Sequence, residues 1–280
     1  MKQEELKKAL PLFILEQSED EKTPNTLKKY AHNIEVFLDW LPPDADIEKT
    51  IVIEFKRHLL EDLKFKTNTI NNYIISINKF LYWCGIDDCK VKQLRKQHAA
   101  SNSEILSPAD LKRLLRFAKR MNQEDTYLIM KILAMSGIRI EELSFFTVEN
   151  MKTNYIHVRN KGKERTIIIR QDLAREIRQY CRDKSIKEGV IFYCQTKGRM
   201  MAKSTIWRRM KRIAGAARVN KNKVHAHSFR HLFAKMFLDE YNGSIAELAD
   251  ILGHNSLETT RIYAKTTDEE KRHKLERIKY

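Results

Sequence analysis

Tyr155-Ile156-His157-Val158-Arg159-Asn160-Lys161-Gly162-Lys163-Glu164-Arg165-Thr166-Ile167-Ile168-Ile169 is the one stretch of this chain with a clear strand signal. Its two apolar runs, Tyr155 to Val158 and Arg165 to Ile169, flank Asn160-Lys161-Gly162-Lys163. A Gly-containing connection between such runs closes an antiparallel hairpin. The surrounding sequence follows helical spacing, so the fold expected is mainly α with a small antiparallel β-hairpin or sheet. With 8 Gly and 5 Pro the chain is too poor in turn residues for a sandwich or barrel of many short strands.

On the amino-terminal side, residues 1–95 read as a module of three or four helices. Thr23 is placed to cap a helix whose first position is Pro24, where the missing N–H costs nothing. Leu27, Tyr30, Ile34, Phe37, Leu38 and Leu41 then recur at helical spacing as far as Pro42-Pro43. Further helices are expected from about Ile47 to Leu63 and from Thr67 to Gly85. Residues 96–106 read as a linker, because Arg95 to Glu104 holds no large apolar side chain. The second domain, 107–280, opens with Ser107-Pro108-Ala109-Asp110, a capping box with Pro in the first turn. Helices follow to about Met121 and from Glu124 to Ser136, where Gly137 breaks the run. Beyond the hairpin, helices are expected at about 171–183, 204–217, 228–240, 245–252 and 257–264. A last one starts from Asp268, capped by Thr267 and Glu270. This second domain is mixed α/β.

A chain of 280 residues with 42% hydrophobic and 9% aromatic residues suits two folded domains. Lys plus Arg number 53 against 37 Asp plus Glu, a net charge of +16. From Gly189 to Leu238 there is no Asp or Glu, while twelve Lys and Arg fall in those fifty residues. Such a balance fits a polyanion, because each phosphate neutralised releases condensed counterions. Nucleic acid is the partner expected. No apolar run approaches the ~20 residues needed to span a bilayer, and no signal-peptide stretch follows the charged start. A soluble, cytoplasmic protein with no membrane partner is expected. Four cysteines, none in a Cys-x-x-Cys pair, read as incidental thiols in a reducing compartment.

Five small signals lie in order along the second domain. Gly137-Ile138-Arg139-Ile140-Glu141-Glu142-Leu143 places Arg139 and Glu142 three apart, on one face of a helix. Lys161 and Lys163 sit in the hairpin turn. His227-Ser228-Phe229-Arg230 pairs two polar residues one turn apart, with His231 next. Leu252-Gly253-His254 ends a helix at a glycine stop. Tyr263 lies nine residues on, within Thr259-Thr260-Arg261-Ile262-Tyr263. His227 and His231 stand at a metal-binding spacing, but no Cys, Asp or Glu near them in sequence completes a zinc set. These residue types suit one chemistry. Arginines fork onto the non-bridging oxygens of a phosphodiester, histidines move protons, a lysine protonates a leaving oxygen, and a tyrosine attacks phosphorus.

Order and spacing resemble the tyrosine recombinase (phage integrase) family over nearly the whole chain. The family's Arg-x-x-Glu-Leu matches Arg139 and Glu142, its hairpin lysine matches Lys161, and its His-x-x-Arg-His matches His227, Arg230 and His231. Leu-Gly-His followed by Thr-Thr-x-x-Tyr matches His254 and Tyr263. The first domain is similar to the family's helical core-binding domain, in Thr26 to Tyr30 and Phe37 to Leu41. The turn is one residue shorter than the family's common Gly-Lys-Gly-x-Lys-x-Arg form, which leaves Lys163 as an alternative to Lys161. The resemblance implies the compact two-domain, Xer-type form, expected to lack the arm-binding domain of larger phage integrases.

The resemblance implies a site-specific DNA recombinase acting through a 3′-phosphotyrosyl intermediate, with Tyr263 as nucleophile and no metal or other cofactor. Lys161 is then the proton donor, Arg139 and Arg230 hold the phosphate with His227 and His254, and Glu142 supports the first arginine. Lys203, Thr205, Arg208 and Arg209, on the basic helix near Ser204, are the expected DNA contacts. Double-stranded DNA and further copies of the chain, four protomers on two sites linked by the helix after Tyr263, are the implied partners; accessory recombination proteins stay open. So does the choice between moving a mobile element and resolving replicon dimers. Two rivals differ in testable ways. A type IB topoisomerase would relax DNA without a specific site, and a helix-turn-helix regulator built on Ser244 to Tyr263 would leave Arg139, Lys161 and the His227–Arg230 pair without a task.

Overall fold

Capping chemistry sets the element boundaries. Thr23 Oγ1 accepts the Thr26 N–H at 3.4 Å, and Ser107 and Asp110 exchange backbone–side-chain bonds of 3.1 and 3.2 Å. Each pair opens a helix with Pro at its first position. The computed structural model describes residues 1–95, 106–160, 163–194, 199–240, 244–253, 257, 259–260 and 276. The contacts of the chain divide it into two units, Met1–Ala99 and Ala100–Tyr280. The expected linker, 96–106, lies outside the described residues except at Leu106.

Among the described residues the first unit holds four α-helices: α1 (Gln3–Glu19), α2 (Pro24–Trp40), α3 (Lys49–Glu61) and α4 (Thr67–Trp83). Leu6, Phe13, Ile34, Phe37, Phe55, Leu59, Ile74, Ile77 and Phe80 are fully buried between them. Phe13 meets Phe80 edge-on at 5.4 Å, and Phe37 meets Phe55 at 5.0 Å. Two asparagines two turns apart on α4 hold the chain that leaves this unit. Asn78 exchanges bonds with the backbone of Val91 (2.8 and 3.1 Å), and Asn71 with that of Leu94 (2.9 and 2.8 Å). Each carboxamide thus mimics a strand neighbour for an extended segment that has none among the described residues.

The second unit is centred on α6 (Glu124–Ser136), whose Tyr127 to Met130 and Ile132 to Ala134 are buried on every side, as befits a central helix. α5 (Pro108–Arg120), α7 (Gln171–Asp183), α8 (Lys203–Ala216) and α9 (Ala226–Glu240) pack around it, and α10 (Ile245–Leu252) rests on α9. The hairpin is β1 (Tyr155–Asn160) paired antiparallel with β2 (Lys163–Ile168), from Tyr155↔Ile168 to Asn160↔Lys163. The strands therefore run further inward than the sequence implied, and the connection shrinks from four residues to Lys161-Gly162. Ile156, Val158, Ile167 and Ile169 face the core, while Tyr155, His157, Thr166 and Ile168 face out. A second antiparallel pair, β3 (Tyr193–Cys194) with β4 (Arg199–Met200), was not expected from the sequence. The fold is mainly α with a small antiparallel sheet, as expected. Among the described residues no helix is long and apolar enough to cross a membrane.

Gly137 and Gly253 end α6 and α10 in the left-handed region, at φ 61° and 63°. A Cβ on Gly137 would also collide with the Phe233 ring and stand 2.8 Å from Leu252 Cδ2. Gly137→Ala is therefore expected to cost roughly 1–3 kcal/mol of overpacking beyond the left-handed strain. Gly85→Ala, at φ 77° with nothing within 4 Å, carries the strain alone. Urea unfolding of the full chain compares the two; equal losses would show that the crowding at Gly137 contributes nothing.

Candidate active site

The site grows from two helix ends. The last carbonyls of a helix have no intrahelical donor and carry its negative dipole end. At the end of α10, three consecutive carbonyls are each taken by an arginine from a different element. Arg165 of β2 donates Nη1 to Ile251 O, Arg230 of α9 donates Nη2 to Leu252 O at 2.8 Å, and Arg139 donates Nη2 to Gly253 O at 3.2 Å. Arg230 also donates Nη1 to Gly137 O, the end of α6, at 2.7 Å. At 2% exposure it is the largest fully buried side chain described.

The carboxylate of Glu142, 1% exposed, is shared by two of these arginines. Its Oε2 accepts Arg165 Nη2 at 2.6 Å and the Arg139 backbone N–H at 2.8 Å; its Oε1 lies 3.4 Å from Arg139 Nη1. The expected helix pair is thus corrected. Arg139 is extended (φ −78°, ψ 150°) and precedes a 3-10 turn, Ile140–Phe145, which Glu142 caps by accepting its N–H. The preceding left-handed Gly137 turns the chain before a regular α-helix resumes, which moves Arg139 off the helix.

On α9, His225 Nδ1 accepts the Ser228 N–H at 3.1 Å, so that ring serves as a helix cap. His227 stands exposed one turn before Arg230. Burial of part of its ring, then Arg230 and His225, hold its pKa below the usual histidine range, with Arg139 adding to them and Glu141 opposing. His231 is pushed down to about 4 by burial and by His227, His225 and Arg230. Both shifts disfavour the imidazolium, so the neutral form of each ring is the favoured one near pH 7. Among the described residues no three His, Cys, Asp or Glu side chains converge as metal ligands.

Of the expected DNA contacts, Lys203 pairs with Glu141 at 2.6 Å, beside the Arg139 turn. Arg209 is half-buried and paired with Asp125 of α6, and Thr205 lines the same groove beside Tyr180 and Tyr193. Arg208 is exposed, as are Trp207 and Arg212. Lys161, His254 and Tyr263 lie outside the described residues, as do the helix following Tyr263 and its Thr267–Glu270 cap. Arg165 was not singled out from the sequence as a site residue. Its signal was available: strand alternation puts it on the face of Ile167 and Ile169, where a charge needs a buried partner.

His227 is expected to titrate below the ordinary value of about 6.5 in the DNA-free protein. Because the Glu141 carboxylate favours the imidazolium, Glu141→Gln should move that midpoint lower still. A proton NMR titration of the His227 ring checks both; an upward shift in the variant would contradict the coupling.

Comparison with known proteins gives this geometry a context. Residues 104–270 match the model of the phage integrase family. The chain is 28% identical over 264 residues to the tyrosine recombinase XerA of Thermococcus kodakarensis, covering 92% of this chain and 90% of that one. Its fold is similar to that of the Tn1549 transposon integrase in complex with circular intermediate DNA, with a TM-score of 0.75 at 18% identity over 99% of both chains. A lambda integrase dimer bound to a core site aligns with a TM-score of 0.73 at 14% identity, over 91% of this chain and 76% of that one. The chain belongs to the phage integrase family and is a tyrosine-type site-specific DNA recombinase.

Proposed function

We propose that Arg139, Lys161, His227, Arg230, His254 and Tyr263 form one active site that cleaves and rejoins duplex DNA at a specific core sequence. The observation that carries this reading is the meeting of Arg139 and Arg230 on the carbonyls of Leu252 and Gly253. His254 is the next residue in the chain and Tyr263 follows nine later, so the turn that the arginines hold also leads to the nucleophile.

The phenolic oxygen of Tyr263 attacks the scissile phosphorus and gives its proton to the neutral His227 ring. The bond from phosphorus to the 5′ oxygen breaks, and that oxygen takes a proton from the Lys161 ammonium. Arg139 and Arg230 donate to the non-bridging oxygens, where charge builds in the five-coordinate transition state, and His254 adds a further hydrogen bond. The products are a 3′-phosphotyrosine and a free 5′ hydroxyl. Because the phosphotyrosyl bond keeps the energy of the diester, the 5′ hydroxyl of a partner strand reverses the step without ATP. Two cleaved duplexes exchanging strands call for four protomers, with the helix after Tyr263 as the link between neighbours. Among the lysines, Lys161 is favoured over Lys163: the latter begins β2, paired with Asn160, and the former falls in the two-residue connection.

Covalent trapping tests this before the core site is known. Wild type and Tyr263→Phe are incubated with randomly nicked DNA of the host or mobile element and denatured in detergent, and the attached DNA is sequenced. An adduct in wild type alone, at one recurrent sequence, is the expected result. Adducts spread over all sequences would indicate a topoisomerase, and one persisting in the Phe variant a different nucleophile. On the recovered site, Lys161→Ala should slow adduct formation by about 10²- to 10⁴-fold, the usual worth of a general acid, and Lys163→Ala far less.

A further inference from the structure

Two guanidiniums and one carboxylate share the buried corner under the phosphate site. They divide that carboxylate unequally. Arg165, 12% exposed at its side chain, holds Glu142 Oε2 at 2.6 Å and spends its other Nη on Ile251 O. Arg139, 32% exposed, reaches Oε1 with its side chain only at 3.4 Å, beyond good hydrogen-bonding distance. A carboxylate that is 1% exposed cannot rely on solvent, so it needs a counter-charge in direct contact. In this arrangement Arg165 supplies it.

We infer that Arg165 is a positioning residue for the reaction: by neutralising Glu142, it leaves the Arg139 guanidinium loosely held and available to the scissile phosphate. The inference rests on the reading of Arg139 as a phosphate ligand. Without Arg165, the buried Glu142 would draw Arg139 inward as the one cation left in contact with it among the described residues, and the phosphate would lose a donor. Position in the strand supports this role. Arg165 is opposite Val158 and shares a face with Ile167 and Ile169, so its side chain is committed to the interior by the pleat. Its stem also fills the space over Gly253, where a Cβ would stand 2.6 Å from Arg165 Cδ. The same residue thus fits the turn whose Gly253 carbonyl holds Arg139 from the other side.

The test is a second-site rescue read on the duplex recovered by trapping. Arg165→Gln is expected to slow single-turnover adduct formation about 100-fold, the scale for losing one transition-state donor. Its affinity for the duplex should stay within about threefold, since one phosphate contact among many is at stake. Adding Glu142→Gln to Arg165→Gln removes the charge that captures Arg139 and should recover at least about tenfold of the rate, far outside additivity for independent losses. Arg165→Lys, which keeps the charge at the carboxylate, should lie between wild type and Arg165→Gln and guards against a simple folding failure, as do matched thermal melts. A double variant slower than Arg165→Gln alone, or a loss of affinity as large as the loss of rate, would overturn the inference. A wild-type rate in Arg139→Gln would instead remove the reading of Arg139, and this inference with it.

Discussion

Three adjacent backbone carbonyls, those of Ile251, Leu252 and Gly253, hold this unit's functional end together. A helix of eight residues is too short to persist on its own backbone bonds. Among the described residues the apolar cluster around α10 is small, Ala234, Leu248 and Leu252 edged by Phe233, Phe237 and Leu238. Each buried leucine contributes about 1.5–3 kcal/mol, against an ordering cost of about 1 kcal/mol or more for every residue fixed. Charge-assisted bonds to the orphan carbonyls, each about 1.5–3 kcal/mol, are what complete the account of its placement. Assembly of the site and docking of α10 are therefore the same event.

Using carbonyls as the partners has a chemical consequence. A carbonyl fixes the direction of a guanidinium without cancelling its charge, whereas a carboxylate does both. Arg230 is held by two carbonyls from the ends of two helices, Gly137 of α6 and Leu252 of α10. Arg139 has Gly253 O at 3.2 Å against Glu142 Oε1 at 3.4 Å. Carbonyl anchoring therefore leaves the positive charge of each guanidinium in place, as the proposed role toward a phosphate requires. Orientation fixed in advance is what makes a charge useful to a transition state, since nothing has to reorganise when the negative charge appears. The αL glycines at 137 and 253 belong to the same design, because each turns a helix end so that its carbonyls face inward.

Much of this was legible where one local signal decides the outcome. Thr23-Pro24, Ser107 with Asp110, and the two stop glycines each specify a boundary through a bond or a φ value that no distant residue modifies. Alternation in Ile156, Val158, Ile167 and Ile169 gave the hairpin and its buried face. Features set by long-range geometry were not legible. Arg139 and Glu142 have helical spacing, but the turn at Gly137 leaves them in a 3-10 cap. Strands β3 and β4 have two residues each, too few for any period to register. The role of Arg165 depends on a glutamate 23 positions earlier and a carbonyl 86 positions later, separations that spacing rules do not reach. The order of the site residues was readable only as a resemblance, since each of the five signals has an ordinary structural reading when taken alone.

The acid-free run from Gly189 to Leu238 suggests at first one continuous basic surface, yet the structure divides it by task. Lys203 and Arg209 reach across to Glu141 and Asp125, both supplied from outside the run. Lys211 lies 5.3 Å over the Trp207 ring and donates to Lys221 O, and Arg230 is buried altogether. What remains outward on α8 is Arg208 and Arg212, one turn apart on the exposed face. Cations paired with carboxylates add little counterion release, because their charge is already compensated. On the proposed reading, phosphate attraction from this helix therefore rests on the outward pair and on Lys211, whose carbonyl partner leaves its charge in place. Binding strength and reaction rate, on the proposed reading, draw on different arginines: exposed ones whose effect salt screens, and buried ones whose effect depends on geometry. A composition can report the first kind. The second appears only once the chain has folded three elements around one helix end.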